Sequence, residues 1–300
     1  MMNKKSLFLV FFAFALWGVL PLYWDIFHDV NAIFILACRI FFALITTLIV
    51  LASKKRLPEM LATLRDKTKM KFLVPSAIVI TINWGLYIWA IIAGHVLDAS
   101  LGYYMNPLVV FVAGVLVFRE SCGKFEISAL ILAAAGVLLV TLQCGQFPLI
   151  ALSHAFLFAG YGILKRFAAV DGLVSVTIET LLFAPFTILY FLLWPNTLNV
   201  LASFNFLQWV AIILSGAATA MPLILYSQGV NDLPFITVGF LQYISPTLML
   251  VIGVLLMGQP FTTADIISFG FIWAGLILFT YGMVQKERSE KLIKAQGENS

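Results

Sequence analysis

Charge is what this sequence has least of. Only 11% of its 300 residues are Asp, Glu, Lys or Arg, under half of the roughly 25% usual in soluble domains. Apolar residues make up 62% and the mean hydropathy is +1.03, which excludes an ordinary soluble core. Cysteine is almost absent. Cys38, Cys122 and Cys144 form no CxxC pair and have no histidine cluster beside them, so neither a disulfide framework nor a zinc site has support, and they read as small buried residues. No GxxxxGK[ST] loop occurs, which leaves coupling to ATP without a site in this chain. HExxH, GxSxG and acids paired at metal spacing are missing too, which argues against an intramembrane enzyme. No cofactor or metal is implied. The net charge of +4 reflects topology and does not point to a nucleic-acid partner.

Long apolar runs are present instead. Stretches of about 20 residues, enough to cross roughly 30 Å of hydrocarbon, recur along the whole chain. Ten spans are expected, at 6–24, 30–53, 71–93, 98–118, 124–143, 149–168, 173–194, 206–228, 233–257 and 263–285. Helices are the economical choice, because lipid offers backbone groups no partners and nothing alternates like a barrel strand. Joints such as Trp194-Pro195-Asn196, Asn231-Asp232-Leu233-Pro234 and Gly258-Gln259-Pro260 punctuate them. The first run follows Lys4 and Lys5 like a signal peptide, but the repeat described next needs it, so it is expected to be retained. With a cytoplasmic N-terminus, every Lys and Arg of the 18 falls inside except Arg39, which lies within the second span. By the positive-inside rule both termini are cytoplasmic. The basic and acidic segment 54–71 reads as a short surface helix, and 287–300 as a cytoplasmic tail that extends a helix and frays.

The chain is written twice. LGYYMNPLVVFVAG at 101–114 returns as FLQYISPTLMLVIG at 240–253, with Tyr104 on Tyr243, Pro107 on Pro246 and Gly114 on Gly253. The same offset sets Tyr87 on Tyr226 and Gly136 on Gly275; a slight drift sets Gly18 on Gly162 and Arg39 near Glu179. The expected organisation is one five-helix repeat at 1–143 and a second at 144–286. Five spans per half is an odd number, so the second half enters from the opposite face and the repeat is inverted. Such a repeat in a hydrophobic chain marks a secondary transporter; a channel is the nearer alternative, an intramembrane enzyme the more remote.

The segments WGVLPLYW (17–24), Arg39, NWGLYIWA (83–90), ASLGYYMNPL (99–108), YGILKR (161–166), GLVSVTIETLLFAP (172–185) and GFLQYISPT (239–247) together resemble the EamA-type transporters of the drug/metabolite transporter superfamily, most closely their RarD branch. The resemblance covers nearly the whole length. It implies an all-α membrane protein of ten transmembrane helices in two inverted five-helix repeats, a bacterial inner membrane, a small-molecule substrate and, as the commoner assignment, export. It sets no oligomeric state.

Candidate site residues follow from polarity at membrane depth. An ionisable residue inside a span costs about 2.5–3.5 kcal/mol on insertion scales, which makes Arg39 and Glu179 site candidates. Their levels in the membrane differ by about 7 Å at 1.5 Å of rise per residue, a gap long side chains or one water can bridge. Either they form a structural ion pair or they line the cavity and trade mutual contact for substrate; proton coupling through Glu179 is the narrower version. Asn83 and Tyr87 share a helix face with Trp84 beside them, as do Tyr103 and Asn106, and Gln242 and Tyr243 stand in the matching stretch of the second half. A cavity walled by Tyr, Trp and amides suits an amphipathic or cationic organic solute. Such groups equally serve helix–helix hydrogen bonding. Trp17 and Tyr161, equivalent by the repeat, are weaker candidates. Pro107 and Pro246 each remove a mid-span hydrogen bond and are candidate hinges. Glu120 with Arg119, and Lys165 with Arg166, read as topology and gate-rim charges at helix ends.

Overall fold

The computed structural model describes residues 3–92, 96–144, 149–256 and 263–297. Gly258-Gln259-Pro260 and the side chain of Cys144 lie outside what is described. Each expected span but 233–257 coincides with one helix: α1 Lys4–Trp24 and α2 Ala32–Ser53, then α4 Lys67–Ile92, α5 Val96–Leu116 and α6 Lys124–Cys144 after the short α3 Leu57–Arg65. The second half runs α7 Leu149–Ala168, α8 Gly172–Leu193, the short α9 Thr197–Ser203, α10 Phe206–Gly229, α11 Phe235–Gln242, α12 Ile244–Leu255 and α13 Thr263–Gly297. Among the described residues, 8 spans are long and apolar enough to cross a membrane. The remaining two are α5, with its shorter apolar stretch Gly102–Leu116, and α7, which ends in Lys165 and Arg166.

Local chemistry sets the helix starts. Asn3, Asn31 and Asp171 each accept two backbone N–H groups at the head of α1, α2 and α8, and Asn205 forms a reciprocal capping box with Gln208 on α10. The surface helix expected within 54–71 is α3, whose Met60 buries into a cluster with Leu51, Leu73 and Leu173. The span 233–257 is two helices, not one. Pro246 cannot donate to the carbonyl of Gln242 and its ring crowds that turn, so the ladder breaks at Tyr243. Pro107, its equivalent, sits inside a continuous α5.

The packing is that of a two-fold. By the repeat, α1 corresponds to α7, α2 to α8, α4 to α10, α5 to the α11–α12 pair and α6 to α13. Helix α1 packs on α10 and α12, and α7 reciprocally on α4 and α5, while α2·α8, α5·α11 and α6·α13 join equivalent to equivalent. The α6–α13 seam shows this at atomic level. A Cβ on Gly136 would stand 2.6 Å from the carbonyl of Ser268, and one on Gly275 2.9 Å from the carbonyl of Ala129; Ala129 and Ser268 are themselves repeat equivalents. Both glycines let backbones approach as small residues do in membranes. Equivalent helices are five spans apart, an odd number, so the axis lies in the membrane plane and the repeats are inverted.

Polarity is arranged inside out. Phe8, Ile49, Leu142, Phe156, Leu192 and Phe206 are exposed, whereas Ser76, Asn83, Asn106, Thr177, Ser215 and Gln242 are buried. An apolar exterior around a polar interior is what hydrocarbon solvent selects. Helix ends sort onto two faces. One joins Arg56 to Asp171, Arg166 to Glu120 and Ser6 to Asp232; the other joins Tyr23 to the Ala211 carbonyl and packs Phe34 at a tilt against Trp194.

Candidate functional site: a cavity between the repeats

A cavity of about 580 Å³ lies between the repeats, walled by α1, α2, α4, α5, α7 and the α11–α12 break. It reaches the surface at Asp25 and His28, both exposed in the connection between α1 and α2. The imidazole of His28 stands 2.8 Å from the Asp25 carbonyl and 3.0 Å from Asp29; that backbone bond first, then Asp29, raises its pKa above the ordinary histidine value. Toward the opposite face an aromatic layer closes the space. Phe14, Phe158, Tyr161 and Tyr226 are buried there, with Phe158 against Trp17 and Tyr226 and Tyr161 stacked on Tyr226.

Of the residues singled out by polarity, Arg39, Asn83, Trp84, Tyr87, Tyr103, Asn106 and Gln242 line this cavity, as do Trp17 and Pro246. Arg39 is the centre of charge. Its Nε donates to Thr219 Oγ1 on α10 at 3.2 Å, and its Cζ sits 4.4 Å above the Trp24 ring and 5.1 Å from that of Trp84. The ring of Trp84, one of those expected to receive a cationic solute, and that of Trp24 are thus engaged by the protein's own guanidinium. Asn83 is committed as well: its amide nitrogen meets His154 Nδ1 at 2.6 Å and the His154 carbonyl at 2.9 Å, tying α4 to α7. Tyr87 and Tyr103 pack edge to face at 5.6 Å. Asn106 Oδ1, Gln242 Oε1 and His154 Nε2 are buried without a protein partner.

Glu179 and Tyr243 stand elsewhere. Tyr243 is buried at the helix break, in the cluster with Phe111 and Phe240. Glu179 does not bridge to Arg39. It accepts from Lys165 Nζ at 2.9 Å, Ser76 Oγ at 2.5 Å and the Tyr161 hydroxyl at 3.3 Å, with Lys165 also bonded to Ser175. Lys165 is 2% exposed and Glu179 5%. The reading of Lys165 as a rim charge is therefore corrected: α7 turns it inward, one turn below Tyr161, where the aliphatic stem is sheltered and the ammonium meets the acid. Its neighbour Arg166 does sit at the rim. It donates to Glu120 Oε1 at 2.9 Å, and the same carboxylate accepts from the backbone N–H of Phe235 (2.6 Å) and Ile236 (2.9 Å) at the start of α11. Glu120 thereby caps a helix of the other repeat. Trp24, His154 and Thr219 escaped the sequence reading. His154 had a signal, since it is a histidine inside an expected span; Trp24 and Thr219 become recognisable only once Arg39 is placed.

Comparison with known proteins supplies the family. The model of the EamA-like transporter family matches residues 4–142 and again 148–281. The chain is 36% identical over 292 residues to an uncharacterized transporter, YojE, of Bacillus subtilis, covering 96% of this chain and 98% of that one. It is 30% identical to the protein RarD of Escherichia coli over 95% of this chain and 97% of that one. A solved crystal structure superposes with a TM-score of 0.74 at 19% identity, over 94% of this chain and 99% of the other, which supports the fold. With both halves matched and near full-length relatives, this multi-pass membrane protein belongs to the EamA-like transporter family, which is a family of transporters and not of enzymes.

Proposed function

We propose that the protein moves a small organic solute across the bacterial inner membrane by alternating access, with both termini cytoplasmic and export as the working direction. One observation carries this reading: a polar–aromatic cavity between inverted repeats reaches one face and is sealed from the other. By the positive-inside rule the open face is external. The repeat then specifies the opposite state. Exchanging the conformations of the two halves closes the path at Arg39 and opens one along its equivalents, at Tyr161, Glu179 and Tyr226. Glu179, held by Lys165 in the closed half, meets water in that state and is the residue proposed to exchange a proton. Pro107 and the Tyr243–Pro246 break are the hinges of the exchange.

Membrane-impermeant thiol reagents test this on single-cysteine variants. Leu36→Cys, on the cavity wall, is expected to react from the outer face. Val176→Cys, its repeat equivalent on α8 and buried here, is expected to react from the cytoplasmic face, each at the expense of the other. Simultaneous access to Leu36→Cys from both faces would indicate a channel. Arg39→Ala and Glu179→Gln should each abolish solute counterflow in proteoliposomes with membrane insertion intact; full activity in both would remove these residues from the mechanism.

A further inference from the structure

Among the described residues, the cavity holds a cation without a counter-ion. Beyond the bond from Nε to Thr219, the guanidinium of Arg39 donates to no protein group among the described residues. Its flanking groups are neutral: the rings of Trp24 and Trp84 and the phenols of Tyr23, Tyr87 and Tyr103. Among the described residues the one carboxylate on the lining, Asp25, is exposed at the mouth, and Glu179 is already neutralised by Lys165. Aromatic faces orient a cation but leave its charge uncompensated, and a bare charge at membrane depth is unfavourable.

A guanidinium fork with free N–H groups, immobilised between two indoles, is shaped for a planar, two-oxygen anion. The wall also carries an apolar and aromatic stretch of Phe14, Trp17, Leu20 and Phe158 beside its uncharged polar groups Asn83, Asn106, His154, Gln242 and Ser245. A volume of about 580 Å³ is in the range that encloses one small organic molecule. We infer that the solute is an organic carboxylate, its carboxylate seated on Arg39 and its apolar, ring-sized body lying against Trp17 and Phe158. The buried acceptors Asn106 Oδ1 and Gln242 Oε1 favour members of that class bearing an N–H or O–H donor. This inference rests on the transport reading above and assigns its substrate class. It also reverses the charge preference that a cavity of tryptophans and tyrosines suggests by itself, because Arg39 already places a cation over the Trp24 and Trp84 rings.

Equilibrium dialysis on full-length purified protein tests it with three matched probes: naphthalene-1-acetate, 2-(1-naphthyl)ethylamine and naphthalene-1-acetamide. The carboxylate is expected to bind at least ~10-fold tighter than the amine or the amide, a difference of about 1.4 kcal/mol. Arg39→Ala should erase that preference and Arg39→Lys should keep part of it. The wild-type ranking stands without the variants should Arg39→Ala fail to fold. Equal or tighter binding of the amine, a ranking unchanged in Arg39→Lys and Arg39→Ala, or no binding of any probe at millimolar concentration overturns the inference. None of those results bears on alternating access, which the cysteine pattern reads separately.

Discussion

Replacing Glu120 with alanine should tip the conformational balance of the protein toward the state open on the cytoplasmic face. In the structure this carboxylate accepts two N–H groups at the head of α11, at 2.6 and 2.9 Å, and one from Arg166 at 2.9 Å. Glu120 is 14% exposed and Arg166 26%, so solvent screens these contacts only in part. Hydrogen bonds to a charged group contribute about 1.5–3 kcal/mol each, and an anion at a helix N-terminus adds about 0.3–1 kcal/mol. Water recovers much of this when the face opens, which leaves a differential of about 2–4 kcal/mol. At 1.4 kcal/mol per decade the equilibrium shifts roughly 30- to 700-fold. Glu120→Gln, which keeps an acceptor and loses the charge, should shift it about half as far in free energy. The assay is the rate of thiol modification of Val176→Cys from the cytoplasmic face, with Leu36→Cys from the outer face as the counterpart. The first rate should rise and the second fall. Unchanged rates at both sites in a folded Glu120→Ala protein would show that this carboxylate does not hold the closed face.

Three further outcomes are expected. Lys165→Met leaves Glu179 buried without its partner and should lower stability in detergent by about 3–5 kcal/mol. Adding Glu179→Gln should recover most of that loss; strictly additive losses would mean the two groups do not act as a pair. Gly136→Val and Gly275→Val each push a side chain into a backbone carbonyl of the facing helix and should destabilise by about 1–3 kcal/mol, read as a lower unfolding temperature, while leaving probe binding in the distant cavity unchanged. Reporter fusions at residues 60 and 290 should both read cytoplasmic and one at 200 external; any other pattern would break the assigned orientation.

The spans, the surface helix and the inversion were legible because hydrocarbon imposes length and polarity rules that single residues announce. Arg39, Asn83, Trp84 and Tyr103 were readable as interior groups for the same reason: an amide, phenol or cation at that depth needs shelter from lipid. Pairing was not legible. Arg39 and Glu179 are repeat equivalents, and depth alone made a bridge between them plausible. The partner of Glu179 depends instead on which way α7 rotates. Lys165 lies next to Arg166 in sequence, and 100° of helical rotation sends one inward and the other to the rim. The break at Tyr243 was hidden for a related reason. Pro107 and Pro246 carry the same chemistry, yet α5 absorbs one and the α11–α12 span yields at the other, so tertiary packing decides.

Spin-label distances on two pairs, measured in the same proteoliposomes, bear most directly on whether one cavity serves both faces. His28 lines the open mouth and Val251 stands on α12 two residues beyond the lining residue Met249, and Lys5 and Ser121 lie on the closed face; all four are exposed. The expected result is reciprocal: conditions or variants, Glu120→Ala among them, that lengthen the Lys5–Ser121 distance shorten the His28–Val251 distance in the same proportion of molecules. Lengthening at one face with no change at the other would contradict alternating access by exchange of the repeats.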